Sequence, residues 1–216
     1  MLSRDDYLDG WARLHGDYDP RGNALVRWWL TMTYAVARPL ARARFSPDLI
    51  TFLAVLTSAA AVAVAAVGDR WLLLAGLLVV GSGLLDNVDG AVAVLTGRAT
   101  RWGSVVDSVA DRVSDVAYLM ALWWAGAPGA LCVAGGVLMF LQEFTRARAT
   151  AAGMADVGVV TVSERPTRVI VTAAFLACAG IFTGTVWAGL GAAAWVGLGA
   201  VGLAQLLVVV RRRLSA

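Results

Sequence analysis

Charged residues are scarce in this sequence: aspartate, glutamate and arginine make up 15% of its 216 residues, whereas ordinary soluble domains carry about 25%. Hydrophobic residues account for 59% of the chain, above the usual range of about 45 to 50%, and the mean hydropathy is +0.72. A shortage of charge on this scale excludes an ordinary soluble domain and indicates an integral membrane protein.

Cysteine is scarce, and the sequence gives no indication of a leader. The two cysteines, Cys132 and Cys178, each lie inside a long apolar stretch, with neither the spacing of a metal site nor the pattern of a disulfide framework. The polar start, Met1-Leu2-Ser3-Arg4-Asp5-Asp6, has no apolar run that ends in a small-residue cleavage site, so we expect no signal peptide. The first membrane span is then expected to stay in the mature protein.

Lysine is absent, so all eighteen basic residues are arginine and the formal net charge is +3. That basic balance does not indicate nucleic acid, because the chain lacks a soluble domain and a recognisable nucleic-acid-reading motif. Anionic lipid and phosphate groups are the partners that we expect instead.

Apolar runs of about 20 residues, the length of a helix that crosses the hydrocarbon core, occur six times. We therefore predict an all-α integral membrane protein in which residues 45–216 form a domain of six transmembrane helices. The predicted spans are Leu49–Val67, Trp71–Leu95, Trp102–Ala125, Ala130–Arg148, Val169–Val186 and Gly189–Val210.

Arginine is concentrated in the loops on one side of these spans. The loops on the other side, around residues 68–70, 126–129 and 183–185, contain only Arg70. By the positive-inside rule, the arginine-rich side and both ends of the chain are predicted to be cytoplasmic. The arginines on that side are Arg98, Arg101, Arg146, Arg148, Arg165, Arg168, Arg211, Arg212 and Arg213.

Residues 1–44 are predicted to be a cytoplasmic juxtamembrane segment. Its apolar residues recur at helical spacing as far as Tyr18, a break follows at Asp19–Gly22, and Asn23–Arg44 carries tryptophan and arginine suited to headgroup depth. We expect an amphipathic helix lying in the interface. The alternative, that Leu25–Ala41 is a seventh span, is disfavoured because arginines on both sides leave an apolar core shorter than about 17 residues.

Aspartate is the unusual residue inside the predicted spans, where one charge costs at least ~2.5 to 3.5 kcal/mol. Residues three or four apart share a helix face, and the short loop at residues 96–101 makes the second and third spans antiparallel neighbours. Four carboxylates are therefore predicted to form one cluster, and an all-oxygen cluster suits Mg²⁺ or Mn²⁺. They belong to Asp86 and Asp89 in the second span and to Asp107 and Asp111 in the third.

Two further features accompany these acids. Asp115, one turn beyond Asp111, is predicted to be a structural partner of Arg112. Small residues lie between the acids, and they indicate either close helix packing or room for a flat base and a diphosphate against the backbone. They are Gly90, Ala93, Gly103, Ser104 and Ser108.

The stretches Asp86–Ala93 and Gly103–Asp111 resemble the signature of the CDP-alcohol phosphotransferase family. That signature consists of D-x-x-D-G-x-x-A-R and G-x-x-x-D-x-x-x-D, separated by eight or nine residues. Seven of its positions match across 26 residues, which makes a chance match improbable. Val94 departs from the pattern, because the family has arginine there. Arg98 or Arg101 is expected to supply the missing charge.

The resemblance implies a metal-dependent transferase that uses two ions of Mg²⁺ or Mn²⁺ and works as a homodimer in the cell membrane, with its active site on the cytoplasmic side. It implies that Asp86, Asp89 and Asp107 bind metal, with Asp111 beside them as the general base. It also implies contacts to the nucleotide donor from Gly90, Ala93, Gly103, Ser108, Thr51, Arg98 and Arg101.

Outside the signature, Ser46–Thr51, Arg146–Thr150 and Ser163–Arg168 are similar to segments of actinobacterial phosphatidylinositol phosphate synthases. That similarity implies that CDP-diacylglycerol donates a phosphatidyl group to inositol phosphate and that CMP is released. The arginines Arg146, Arg148, Arg165 and Arg168 are then expected to hold the acceptor phosphate. They could instead be lipid-headgroup anchors, and glycerol 3-phosphate is the second choice of acceptor.

Two other membrane classes also use intramembrane carboxylates. Prenyltransferases gather aspartates and Mg²⁺ around a diphosphate, but their paired motifs are spaced differently. A cation-coupled transporter is expected to have a discontinuous span near the midplane, whereas the acids of this chain gather at one cytoplasmic end. We therefore expect an enzyme that acts on a CDP-linked lipid.

Overall fold

The computed structural model describes residues 3–14, 19–22, 24–154, 160–182 and 186–215, and across these ranges every regular element is helical. A 3₁₀ turn at Pro20–Gly22 separates the first two helices. The helices are α1 (Arg4–Leu14), α2 (Ala24–Arg42), α3 (Pro47–Ala65), α4 (Trp71–Thr96), α5 (Arg101–Trp124), α6 (Gly129–Ala151), α7 (Arg165–Ile181) and α8 (Val186–Leu214).

The six predicted spans correspond to α3 through α8, with boundaries shifted by a few residues. Four of these helices, α3, α4, α6 and α8, are long and apolar enough to cross a membrane. The other two do not meet both conditions: α5 carries several charges along its length, and α7 is only 17 residues long. Helix α2, the alternative seventh span, is not among the four. The predicted loop at 183–185 and Tyr18 lie outside the described residues.

The connection between α4 and α5 is built from two helix-end motifs. Gly97 ends α4 with a positive φ of 65°, and the Arg98 amide donates a 2.9 Å hydrogen bond to the Ala93 carbonyl, which closes a Schellman motif. The Thr100 hydroxyl accepts a 2.9 Å hydrogen bond from the Gly103 amide and caps the start of α5. Only residues 97–100 separate the two helices, so α4 and α5 must reverse direction sharply.

The start of α3 is fixed in a similar way. The Ser46 hydroxyl accepts a 3.2 Å hydrogen bond from the Leu49 amide. Pro47 occupies the first helical position, where its missing N–H leaves no intrahelical bond unmade. The Ser46 cap and Pro47 therefore explain why α3 begins within the segment Ser46–Thr51.

Residues 1–56 and 81–111 form one compact unit with its own core. The Tyr7 and Tyr34 rings lie 5.6 Å apart between α1 and α2, and the Trp29 indole N–H donates to the Asn87 side-chain oxygen over 3.4 Å. Helices α1 and α2 therefore share one core with the part of α4 that carries its aspartates. The buried residues of this core are Tyr7, Leu8, Leu30, Ala37, Ala41, Ile50, Val88, Ala91, Val92 and Leu95.

Residues 57–80 and 112–216 form the second unit, in which α8 packs against α6 and α7. Glycines permit the close approach: a Cβ on Gly191 would lie 2.8 Å from the Phe175 Cβ, and one on Gly76 would lie 3.0 Å from the Ala173 carbonyl oxygen. Small residues at helix contacts are the usual means of packing within a bilayer. Glycine therefore permits close helix packing in this unit, which does not contain the small residues that accompany the signature aspartates.

The second unit also buries an ionic network. The Asp115 side chain has no exposed surface, and its Oδ2 atom lies 3.4 Å from Arg112 Nη2 and 3.2 Å from Arg168 Nη2. Arg112 Nη1 lies 2.7 Å from Glu143 Oε1, so α5, α6 and α7 all contribute. The predicted pairing of Asp115 with Arg112 is confirmed, and Arg168 is a second partner that the sequence did not reveal.

Replacing Asp115 with asparagine should destabilise the protein severely, because two guanidinium groups would lose their buried counter-charge. Breaking a buried pair in this way typically costs about 3 to 5 kcal/mol. Thermal unfolding in detergent micelles measures the effect, and Asp69→Asn in the exposed α3–α4 loop is the matched control. Equal unfolding temperatures for the two variants would contradict the structural role of Asp115.

Candidate active site

Three aspartates come together in the first unit. Asp86 of α4 and Asp107 and Asp111 of α5 each present a carboxylate oxygen, and these oxygens lie within 4.8 Å of one another. Three anionic oxygens at this separation repel strongly unless a cation or a proton lies among them. Oxygen ligands of one hard cation are separated by at most about 5 Å, twice the metal–oxygen distance. This donor set therefore fits Mg²⁺ or Mn²⁺.

Asp89 has a different environment from these three. It is buried, with 4% of its surface exposed, and it accepts hydrogen bonds from the Thr51 hydroxyl and the Gly90 amide. It does not belong to the group of three close carboxylates. Thr51 Oγ1 also lies 3.1 Å from the Pro47 carbonyl oxygen, so the start of α3 holds Asp89 in place. A metal-ligand role for Asp89 and a nucleotide contact from Thr51 stay predictions.

Gly90 adjoins open space. A Cβ atom added there would meet no described atom within 4 Å, so packing within the described chain does not require a glycine at this position of α4. At Gly103 the added atom would lie 3.1 Å from Thr100 Oγ1, which is the capping contact of α5. The two signature glycines therefore differ: Gly103 serves the helix start, whereas Gly90 leaves room beside the aspartates.

The remaining residues predicted to contact the nucleotide lie close to the signature aspartates in sequence. Ala93 is half-buried, and the Ser108 hydroxyl donates to the Ser104 carbonyl of its own helix over 2.9 Å. Arg98 and Arg101 are exposed in and after the α4–α5 connection. Val94, which replaces the family's arginine, packs against the apolar core of the first unit.

The four arginines predicted to hold the acceptor lie in the second unit, at the end of α6 and in the first turn of α7. Arg146 pairs with Glu164, Arg148 is exposed and Arg165 is half-buried. Arg168 is 4% exposed, pairs with Asp115 and places its guanidinium carbon 6.0 Å from the centre of the Trp195 ring. The arginines are therefore not equivalent, and Arg168 is the least accessible.

Sequence reasoning missed two polar residues of this region: Glu164, which pairs with Arg146, and Gln142, which donates to the Thr161 hydroxyl. Glu164 directly precedes Arg165, and an acid beside an arginine is a pairing candidate. Gln142 is an isolated amide within a long apolar run, and such a residue indicates a hydrogen-bond partner on another segment. Both signals were present in the sequence, but neither identified the partner.

Comparisons with known proteins identify the family of this chain. Residues 44–208 match the CDP-alcohol phosphatidyltransferase family. The chain belongs to this family. The matched region contains all the signature aspartates and glycines, so this phosphatidyltransferase has its signature motif on α4 and α5. The chain is a membrane-embedded transferase.

Two curated relatives show how far the similarity extends. The phosphatidylinositol phosphate synthase of Mycobacteroides abscessus is 34% identical over 189 residues, which covers 84% of this chain and 81% of that protein. The archaetidylinositol phosphate synthase of Aeropyrum pernix is 36% identical over 154 residues, which covers 65% of this chain and 77% of that protein.

Solved structures give the same fold. The crystal structure of Mycobacterium tuberculosis phosphatidylinositol phosphate synthase in complex with manganese and citrate has a TM-score of 0.69 and 28% identity, and the match covers 82% of this chain and 88% of that one. A structure of the same enzyme with CDP-DAG bound has a TM-score of 0.64. The match covers 82% of this chain and 94% of that one at 28% identity.

Gly90→Ala tests whether the open space beside α4 receives the donor. Alanine meets no described neighbour there and favours helix by about 1 kcal/mol, so thermal stability should hold or rise. The apparent KM for CDP-diacylglycerol should nevertheless rise by about tenfold, because the methyl group occupies ligand space. Gly197→Ala in α8, where the space is also open, is the control and should keep full activity. Unchanged donor kinetics in Gly90→Ala would show that no ligand lies there.

Proposed function

We propose that this phosphatidyltransferase transfers the phosphatidyl group of CDP-diacylglycerol to a hydroxyl of inositol phosphate and releases CMP. The observation that carries the proposal is the group formed by Asp86, Asp107 and Asp111 on the two signature helices. The relatives described above support the donor and the acceptor, since their names specify phosphatidylinositol phosphate or archaetidylinositol phosphate synthesis. The bound CDP-DAG of one solved relative supports the donor further.

The metal would be held by Asp86 and Asp107, with Asp89 as a further ligand by resemblance to the family. Bound Mg²⁺ or Mn²⁺ would neutralise charge on the transferring phosphoryl group and on the departing CMP. The buried hydrogen bond from Thr51 keeps the Asp89 carboxylate pointing in one direction. The open side of Gly90 leaves the diphosphate room to approach the backbone of α4.

Asp111 is the residue that we propose removes the proton from the acceptor. The hydroxyl oxygen attacks the phosphorus that carries the diacylglycerol, the bond from that phosphorus to the CMP oxygen breaks, and the hydroxyl proton passes to the Asp111 carboxylate. A hydroxyl needs a carboxylate within hydrogen-bond reach to become a good nucleophile. Asp111 is half-buried, so one face of its carboxylate is accessible to an acceptor.

The acceptor phosphate is proposed to bind the arginines of α6 and α7. Arg146, Arg148 and Arg165 keep accessible surface, and guanidinium groups bind phosphate through paired hydrogen bonds. Arg168 belongs to the same predicted set, but its pairing with Asp115 supports a role in holding the first turn of α7. The first turn of α7 and the end of α6 each carry two arginines, more than are needed to orient the helices in the membrane by the positive-inside rule.

We also propose the membrane arrangement that the sequence predicts. Helices α3 to α8 cross the membrane six times within residues 45–216, and residues 1–44 lie in the cytoplasmic interface. The enzyme is placed in the cell membrane with its active site and both termini cytoplasmic. The distribution of arginine supports this orientation. Resemblance to the family supports a homodimer.

Asparagine substitutions should separate the metal ligands from the base. Asp86→Asn should lose both Mn²⁺ binding and transfer, because it removes a ligand. Asp111→Asn should keep Mn²⁺ and CDP-diacylglycerol but lose turnover by roughly 10²- to 10⁴-fold, the usual contribution of acid–base catalysis. Mn²⁺ titration and CMP release measure the two properties, with Asp69→Asn as the control. If Asp111→Asn binds Mn²⁺ as weakly as Asp86→Asn, Asp111 is a ligand rather than the base. If the wild-type enzyme stays active in excess EDTA, the reaction does not require a metal.

Arg165→Ala should weaken the acceptor selectively. The KM for inositol phosphate should rise by at least about tenfold, as expected for loss of a hydrogen bond to a charged group, while the KM for CDP-diacylglycerol changes little. Initial rates of CMP release at varied acceptor concentration measure this effect, and Arg70→Ala in the α3–α4 loop is the arginine control. Efficient transfer to a neutral alcohol, unaffected by Arg165→Ala, would contradict the acceptor assignment but not the transferase assignment.

A further inference from the structure

Glu164 lies at the centre of a hydrogen-bonded chain in the second unit. Its Oε1 atom accepts from the Arg146 guanidinium, from the Thr161 amide at 2.8 Å and from the Thr161 hydroxyl at 2.7 Å. The Thr161 hydroxyl in turn accepts a 2.7 Å hydrogen bond from the Gln142 side-chain amide. Gln142 and Arg146 are one turn apart on α6, so Glu164 and Thr161 close a ring of contacts back onto a single helix.

The Glu164 side chain does not cap the helix that begins beside it. It is the N-cap residue of α7, with extended dihedral angles, but its side chain makes no capping hydrogen bond to that helix. Serine, threonine, aspartate and asparagine are the residues whose side chains ordinarily bind the free amides of the first turn from this position. Glu164 instead directs its carboxylate at Thr161 and Arg146. Its orientation therefore serves the arginine on α6 rather than the helix that it begins.

The segment that carries Glu164 is also held from α8. The Val162 amide donates a 3.1 Å hydrogen bond to the Gln205 side-chain oxygen. A Cβ atom on Gly202 would lie 2.8 Å from the Ser163 Cβ, closer than real side chains approach. Residues 161–164 are thus fixed by α6 on one side and by α8 on the other, and Glu164 has a rigid support.

We propose that Glu164 is a positioning residue for the acceptor: it holds the Arg146 guanidinium in the orientation that binds the acceptor phosphate. The inference rests on the proposed function, in which Arg146 contacts that phosphate. A mobile arginine side chain loses rotamer entropy when it is fixed. An arginine whose orientation is already set by an ion pair loses less of that freedom when it binds phosphate.

The charge of Glu164 and its position predict opposite effects, which makes the inference testable. If the carboxylate only weakened the positive field around Arg146, removing it would tighten anion binding. If it orients Arg146, removing the side chain weakens anion binding, whereas glutamine, which retains an acceptor oxygen but carries no charge, preserves most of the function. The two substitutions at one position therefore distinguish the two roles.

The experiment measures kcat and KM for inositol phosphate, KM for CDP-diacylglycerol, and binding of inorganic phosphate. Glu164→Ala should raise the acceptor KM by about tenfold, with kcat and the donor KM within about twofold of wild type. Glu164→Gln should restore the acceptor KM to within about threefold of wild type. A lower acceptor KM in both variants, or an unchanged one in Glu164→Ala, would overturn the inference.

A double-mutant cycle separates this inference from the proposed function. In an Arg146→Ala background, Glu164→Ala should have no further effect on the acceptor KM or on the phosphate dissociation constant, because the group that it positions is gone. Additive effects would overturn the positioning role. If Arg146→Ala itself changes neither quantity, the proposed acceptor site is wrong, whatever Glu164 does.

A variant at another position keeps the inference testable if Glu164→Ala does not fold. Gly202→Ala displaces Ser163 and the segment that supports Glu164, so it should raise the acceptor KM in the same selective way. Gly199→Ala is the matched control, since its added Cβ meets Leu138 on α6 at 3.1 Å and leaves residues 161–164 untouched. Equal acceptor KM values in the two glycine variants would count against the inference.

Discussion

The close approach of three carboxylates on two successive helices is the constraint on which the rest of the structure depends. Like charges within 4.8 Å of one another repel, and the repulsion is stronger where water is partly excluded. The chain nevertheless holds them there with devices that need no ligand: the Schellman ending at Gly97, the Thr100 cap and the packing of α2 against α4. Folding energy from apolar contacts and helix caps therefore maintains a site whose own electrostatics oppose it, until a divalent cation neutralises it.

Another aspartate on these helices, Asp115, is neutralised by arginine. Asp115 follows Asp111 by one helical turn, yet its carboxylate is fully buried against Arg112 and Arg168. A carboxylate neutralised by two guanidinium groups has little capacity left for a metal cation. The same residue type on one helix thus gives either a reactive group or a structural one, and the presence of arginine partners decides which.

Helix positions and the carboxylate group could be predicted from the sequence because both depend on local rules. Apolar runs set the helices, and the spacing of Asp107 and Asp111 places them on one face. The environment of Asp89 could not be predicted in this way, since Thr51 reaches it from a helix 38 residues away in sequence. The partner of Arg146 was missed for the same reason: spacing along a chain indicates which residues share a face, but not which residues of another segment meet them.

The replacement of the family's arginine by Val94 illustrates how such a position can change without loss of the fold. Val94 packs against the core of the first unit, where an arginine would have to extend its charge past apolar neighbours. Arg98 begins one turn later, and its amide is already bound to the Ala93 carbonyl, so its backbone is fixed at the end of α4. A cation at a helix C-terminus is favoured by the helix dipole. If Arg98 supplies the charge that position 94 lacks, that charge lies beside the C-terminus of α4, where the helix dipole favours it, four residues beyond the position at which the family has arginine.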